Sequence, residues 1–159
     1  EPWKPLPVSA PNALTLKNWQ VELHHAREGW VKTTQMETPT DLKETEWKDF
    51  AGTVVYRTKF DVNSSNAGDT VLNLGKVYGI SQVLVNGVDC GVKWYGNRIY
   101  DIADQLHTGS NEIEVRVVTV LGNYMHTLTD NATAQKFTAG RKEWPTLSLG
   151  ILGPVTLYK

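Results

Sequence analysis

The sequence predicts an all-β protein, an antiparallel β-sandwich of jelly-roll type, and three observations carry that prediction. Apolar and polar residues alternate in many short runs. Asn-Gly and other glycine-containing steps separate those runs. Helix-start signals are few, and one short helix is expected.

Residues 1 to 18 contain Pro2, Pro5, Pro7 and Pro11. Proline lacks an N–H and fixes φ, so this stretch is expected to be an extended arm or linker, with the sandwich occupying residues 19–159. Trp19-Gln20-Val21-Glu22-Leu23 alternates with the period of a half-buried strand. His24 and His25 follow, and adjacent side chains of an extended chain point to opposite faces, so the pair cannot converge on one metal ion. Residues 26 to 52 are polar. Thr40-Asp41-Leu42-Lys43 has the form of a first helical turn, and Glu46 to Phe50 is expected to seat two aromatic rings before the next strand. That strand, Thr53 to Phe60, puts Val54, Tyr56, Thr58 and Phe60 on one face and Val55, Arg57 and Lys59 on the other.

Asn63 to Asp69 reads as a loop, and Thr70 to Leu74 as a strand closed by Gly75. The stretch Val83 to Trp94 is the clearest hairpin. Asn86-Gly87 accepts the positive φ angles of a tight turn, because glycine has no Cβ and asparagine tolerates the left-handed region. Asp101 is placed to cap a short helix reaching Leu106, with Asp104 favoured by the helix dipole. Glu112 to Val117 is the cleanest alternation: Ile113, Val115 and Val117 face inward, while Glu112, Glu114 and Arg116 form a solvated, charge-balanced row. Residues 122 to 146 make a long excursion, and Val155 to Tyr158 is the last strand.

At 159 residues, 40% hydrophobic and 21% charged, the chain is long enough for one domain with a sizeable core. A formal net charge of -1 without blocks of like charge argues against nucleic-acid and anionic-membrane partners. No apolar run approaches the roughly 20 residues of a membrane span. The single cysteine, Cys90, allows no internal disulfide and is read as a small side chain tucked into the hairpin. The chain starts at Glu1 without a signal-peptide core and is read as a processed or excised piece of something longer.

The ordered pieces resemble a known family. Phe50-Ala51-Gly52-Thr53-Val54-Val55-Tyr56-Arg57-Thr58-Lys59-Phe60 is similar to the "aromatic-Ser/Ala-Gly-Thr-x-x-Tyr-Arg-x-x-Phe" strand of the sugar-binding domain of glycoside hydrolase family 2, a strand found also in bacterial α-L-rhamnosidases. Leu72 to Val77, Val83 to Gly87 with Gly91, Asp101-Ile102 with Leu106, Gly109, Asn111 and Val115, and the closing Gly150-Ile151-Leu152-Gly153-Pro154-Val155 follow in that family's order. The match covers residues 47 to 159 and departs from the pattern after Val120. The resemblance implies a galactose-binding-domain-like jelly roll beside a catalytic domain in a secreted or periplasmic glycoside hydrolase. It also implies a possible structural Ca2+, for which Asp61, Asn63, Asn66 and Asp69 offer oxygen ligands without a defined calcium spacing.

Glycoside hydrolysis ordinarily needs two carboxyl groups about 5 to 9.5 Å apart, and no such pair is legible; no catalytic residue and no cofactor is expected. Carbohydrate contact is the better-supported chemistry. A sugar offers an apolar C–H face and a rim of hydroxyls, so it calls for an exposed flat ring with planar donors and acceptors nearby. Trp94, Tyr95, Asn97 and Arg98 supply these within five residues. Asn123, Tyr124 and His126 complete the set if the long loop folds over the same edge. The opposing expectation has Trp94 capping the core and Arg98 stacked on an aromatic ring, in a purely structural or interaction domain.

Overall fold

The computed structural model describes residues 14–62, 70–94, 96–119 and 148–158. Its larger sheet has six strands. β2 (Trp19–His25), β3 (Val31–Met36), β4 (Gly52–Val62), β7 (Ile80–Val85), β8 (Val88–Lys93) and β10 (Gly109–Val118) lie in the order β3-β2-β4-β10-β7-β8. A second sheet of β1 (Leu14–Thr15), β12 (Thr156–Tyr158), β5 (Val71–Asn73) and β9 (Ile99–Asp101) has the order β1-β12-β5-β9. β6 (Lys76–Tyr78) pairs with β11 (Gly150–Gly153) in a small ribbon. Among the described residues every pairing between named strands is antiparallel, and an isolated parallel bridge joins Gly75 to Gly153.

Alternation decides which side chains enter the core. Trp19, Val21 and Leu23 of β2, Val54 and Tyr56 of β4, Val83 and Val85 of β7, and Ile113, Val115 and Val117 of β10 are all buried. Leu72, Tyr100 and Leu157 meet them from the smaller sheet. The ring of Trp19 stands edge-on to Tyr56, with centroids 6.5 Å apart. The Tyr56 hydroxyl accepts the Ile151 N–H at 3.2 Å, tying the central strand to β11.

The Asn86-Gly87 turn has φ values of 51° and 82°, the two left-handed residues that a type I′ hairpin requires. Its asparagine also bonds sideways. Asn86 Nδ2 donates to Asn111 Oδ1 at 2.9 Å, and Asn86 Oδ1 accepts the Glu112 N–H at 3.0 Å. The turn is thereby fastened to β10.

Three segments differ from expectation. Val31–Met36 is a strand, although its side chains are exposed or half-buried throughout, because it lies on the sheet edge. Leu14 and Thr15 pair with Leu157 and Thr156, so the sandwich takes in the end of the predicted N-terminal arm. The helix expected after Asp101 is a 3-10 turn over Ala103–Gln105, with Asp101 Oδ1 accepting the Ala103 N–H. The turn expected at Asp41 is also 3-10, over Leu42–Glu44. Burial raises the Asp41 pKa, but the N–H groups of Leu149 and Lys43 outweigh it and hold the carboxyl below its usual value.

On the outer face of the large sheet, Arg57 bridges Glu22 at 3.3 Å and Glu114 at 2.7 Å, and Arg116 reaches Glu114 at 2.7 Å. The Glu114 side chain is only 13% exposed. Burial pushes its pKa up, but the two guanidinium groups outweigh that and hold it below the ordinary 4.5. A depressed carboxyl pKa adds stability above the unfolded value, and that contribution is lost as pH falls through the folded value. Glu114→Gln is therefore expected to lower stability by about 1 kcal/mol at neutral pH, since its arginine partners are partly exposed and screened by solvent. In urea melts across pH, the difference between variant and parent should shrink as the pH falls below the ordinary carboxylate value and through the depressed folded one. A difference that persists undiminished at low pH would contradict the ionic origin.

Candidate functional site

Strand register places one set of loops on a single end of the sandwich. His25 lies opposite Gly52, Thr53 opposite Val118, Val118 opposite Ile80, and Ser81 opposite Lys93. The ends of β2, β10 and β8 and the starts of β3, β4 and β7 thus share one rim. Trp94 leaves that rim directly after β8.

Trp94 is 70% exposed, so it does not cap the core. Arg98 is only 5% exposed, and its guanidinium is spent inside the loop. Nη1 donates to the Gly79 carbonyl at 2.8 Å, the Ser81 hydroxyl at 2.9 Å and the Lys93 carbonyl at 3.2 Å; Nη2 donates to the Trp94 carbonyl at 3.0 Å. No carboxylate is among these partners, and burial pulls the Arg98 pKa down. Arg98 is therefore a positioning residue that holds the Trp94 backbone. Ser81 Oγ also lies 2.7 Å from the buried Tyr100 hydroxyl, joining the clamp to the smaller sheet.

Asn97 is exposed beside Trp94 in the sequence, following Gly96 at φ 79°. Of the contacts predicted from sequence, the structure presents Trp94 and Asn97 to solvent and turns Arg98 inward. Tyr95, Asn123, Tyr124 and His126 lie outside the described residues, as do Asn63, Asn66 and Asp69 of the calcium reading.

A second feature of the rim was not foreseen. Trp30, at the start of β3, meets Trp47, from the segment before β4, with ring centroids 6.0 Å apart. His25 and Phe50 form the floor, 4.9 and 5.8 Å from the Trp30 ring. Sequence reading located Trp47 and Phe50 as a seated pair. The useful additional signal was Gly29-Trp30, a ring at a turn between two polar runs.

Glu112 and Glu114 share one strand face, and Glu114 is held by Arg57 and Arg116. His24 turns outward to Glu22, while His25 is buried, as expected for neighbours on a strand. Among the described residues no group of three or more His, Cys, Asp or Glu side chains could hold a metal ion. Cys90 is half-buried, and burial pushes its thiol pKa up, away from a reactive thiolate.

No protein-family model matches the chain. A curated protein of Formosa agariphila, named "Putative beta-glucuronidase", is 32% identical over 79 residues, which is 48% of this chain and 7% of that protein. Among solved structures, a rhamnosidase from Novosphingobium sp. PP1Y aligns over 99% of this chain and 16% of its own, with a TM-score of 0.71 and 23% identity. A β-D-mannosidase from Dictyoglomus thermophilum aligns over 92% of this chain and 22% of its own, with a TM-score of 0.63 and 18% identity. An FMN-binding β-glucuronidase from Faecalibacterium prausnitzii L2-6 gives the same coverage and identity at a TM-score of 0.62. The chain spans less than a quarter of each of these proteins. By fold, it is a β-sandwich of the kind that these glycoside hydrolases contain as one part of a longer polypeptide.

Proposed function

We propose that this chain is a non-catalytic accessory module of a larger glycoside hydrolase and that its rim contacts carbohydrate through Trp94. The observation that carries the reading is the pairing of a ring 70% exposed with a buried guanidinium that fixes its backbone. An exposed indole normally loses rotational and backbone freedom on binding, and a loop already clamped at its base loses less. The Trp94 face supplies apolar contact for a sugar ring, and Asn97 supplies an amide on the same loop. Rhamnosidase, β-mannosidase and β-glucuronidase are the activities named for the fold's neighbours, so the sandwich accompanies several sugar chemistries. The catalytic groups belong, on this reading, to another part of the polypeptide.

Titration NMR against a panel that includes rhamnose, mannose and glucuronate oligomers tests the proposal. Weak saturable binding is expected, with the Trp94 indole among the shifted signals. Trp94→Ala should reduce affinity by about ten-fold, as expected for an aromatic anchor at the centre of a contact. Stability should stay within about 0.5 kcal/mol, because the ring packs on little. If no glycan shifts the rim signals, carbohydrate contact is abandoned and the sandwich is a structural module.

A further inference from the structure

We propose that the cleft between Trp30 and Trp47 is a binding site for an organic ammonium group, such as that of an amine-bearing sugar. The cleft, about 370 Å3, is large enough for one small ring. The two indoles are set in place from below. The buried His25 ring accepts the N–H groups of Arg27 and Glu28 on Nδ1, at 3.2 and 3.1 Å, and Phe50 is buried beside it.

The walls have the chemistry of a cation cage. The Lys32 ammonium lies 4.6 Å from the Trp30 centroid and 5.4 Å from that of Trp47. Both distances fall within the range over which an aromatic face attracts a cation. Lys32 is exposed, and its flexible side chain lays its charged tip over both rings. Glu28, Glu46 and Asp49 line the same cleft, three carboxylates against the one lysine. Glu28 is engaged by His25 Nε2 at 3.3 Å, whereas Glu46 and Asp49 form no ion pair among the described residues. The cleft is thus an electronegative, ring-walled site in which Lys32 is a built-in occupant that an incoming ammonium displaces. This site is separate from the Trp94 contact and does not depend on it.

An unusual sign follows. Removing a lysine should strengthen the binding of a cation here, by vacating the cage and removing a like charge. The test is titration of the full chain with choline and with glucosamine, following the indole N–H signals of Trp30 and Trp47, with N-acetylglucosamine as the uncharged control. Saturable shifts with either ammonium, and none with the control, support the site. Lys32→Ala should tighten ammonium binding by about three-fold, Trp47→Ala should remove it, and Trp94→Ala should leave it unchanged. Because Lys32 is exposed, its variant keeps the test valid even if Trp47→Ala folds poorly. No saturation in either the parent or Lys32→Ala, equal binding of N-acetylglucosamine, or weaker ammonium binding in Lys32→Ala would each overturn the proposal.

Discussion

Replacing Gly52 with alanine is expected to destabilise the sandwich by about 4 kcal/mol or to prevent folding. Gly52 starts the central strand at φ 149°, and a Cβ there would lie 2.0 Å from the His24 carbonyl oxygen and 2.7 Å from the Ala26 nitrogen. Both obstacles are backbone, so no rotamer change relieves them. The site is also a junction. Gly52 donates its N–H to Thr119 Oγ1 at 3.2 Å and accepts the Thr119 N–H at 2.9 Å, holding the end of β10 against the start of β4. Moving the glycine aside would pull apart β2, β4 and β10 together. Gly29→Ala is the matched control: φ is 74°, yet nothing lies within 4 Å of the added carbon. It should cost about 1 kcal/mol from backbone preference alone. Chemical denaturation of the two variants separates steric conflict from φ strain, and equal losses would refute the steric account.

Arg98→Met is expected to cost about 3 kcal/mol and to free the Trp94 loop. Two effects compete. Methionine relieves the desolvation of a buried cation, which favours the variant. Against this, the carbonyls of Gly79, Lys93 and Trp94 and the Ser81 hydroxyl lose charged donors, each such bond being worth about 1.5 to 3 kcal/mol. Four lost bonds outweigh one relieved charge. Arg98→Lys should recover only part of the stability, because a single ammonium cannot span acceptors that a planar fork reaches from two nitrogens. Urea denaturation gives the first quantity, and the Trp94 indole signal reports the second. Parent-like stability together with an unmoved Trp94 signal would show that the clamp does not position the ring.

Much of the fold is legible in the chain because short-range rules decide it. The Asn86-Gly87 turn and the inward Ile113, Val115 and Val117 depend only on neighbours in sequence. β3 is different. Val31-Lys32-Thr33-Thr34-Gln35-Met36 sits at an edge where no side chain is fully buried, so burial leaves little alternation to read. Leu14 and Leu16 are masked by the nearby prolines, although Leu16 is buried and its N–H donates to Val155 at 2.9 Å. At the candidate site, Trp94 and Asn97 are exposed and Arg98 is buried. Arginine is rarely buried, and what draws Arg98 inward is a cluster of carbonyls from the two ends of the β7–β8 hairpin. That cluster exists only after folding. The meeting of Trp30 with Trp47 is likewise a tertiary event across separate segments.

The pairing of Leu14 with Leu157 brings the first and last strands side by side and antiparallel. Tyr158 stands opposite Val71, which stands opposite Asp101, whereas Ile99 follows directly on the Trp94 loop. Among the described residues the first and last strands are thus neighbours in the smaller sheet, and Tyr158 lies toward the Asp101 end of β9 rather than its Ile99 end. Probes on Leu14 and Leu157 would therefore sit side by side and report whether the edge strand stays docked.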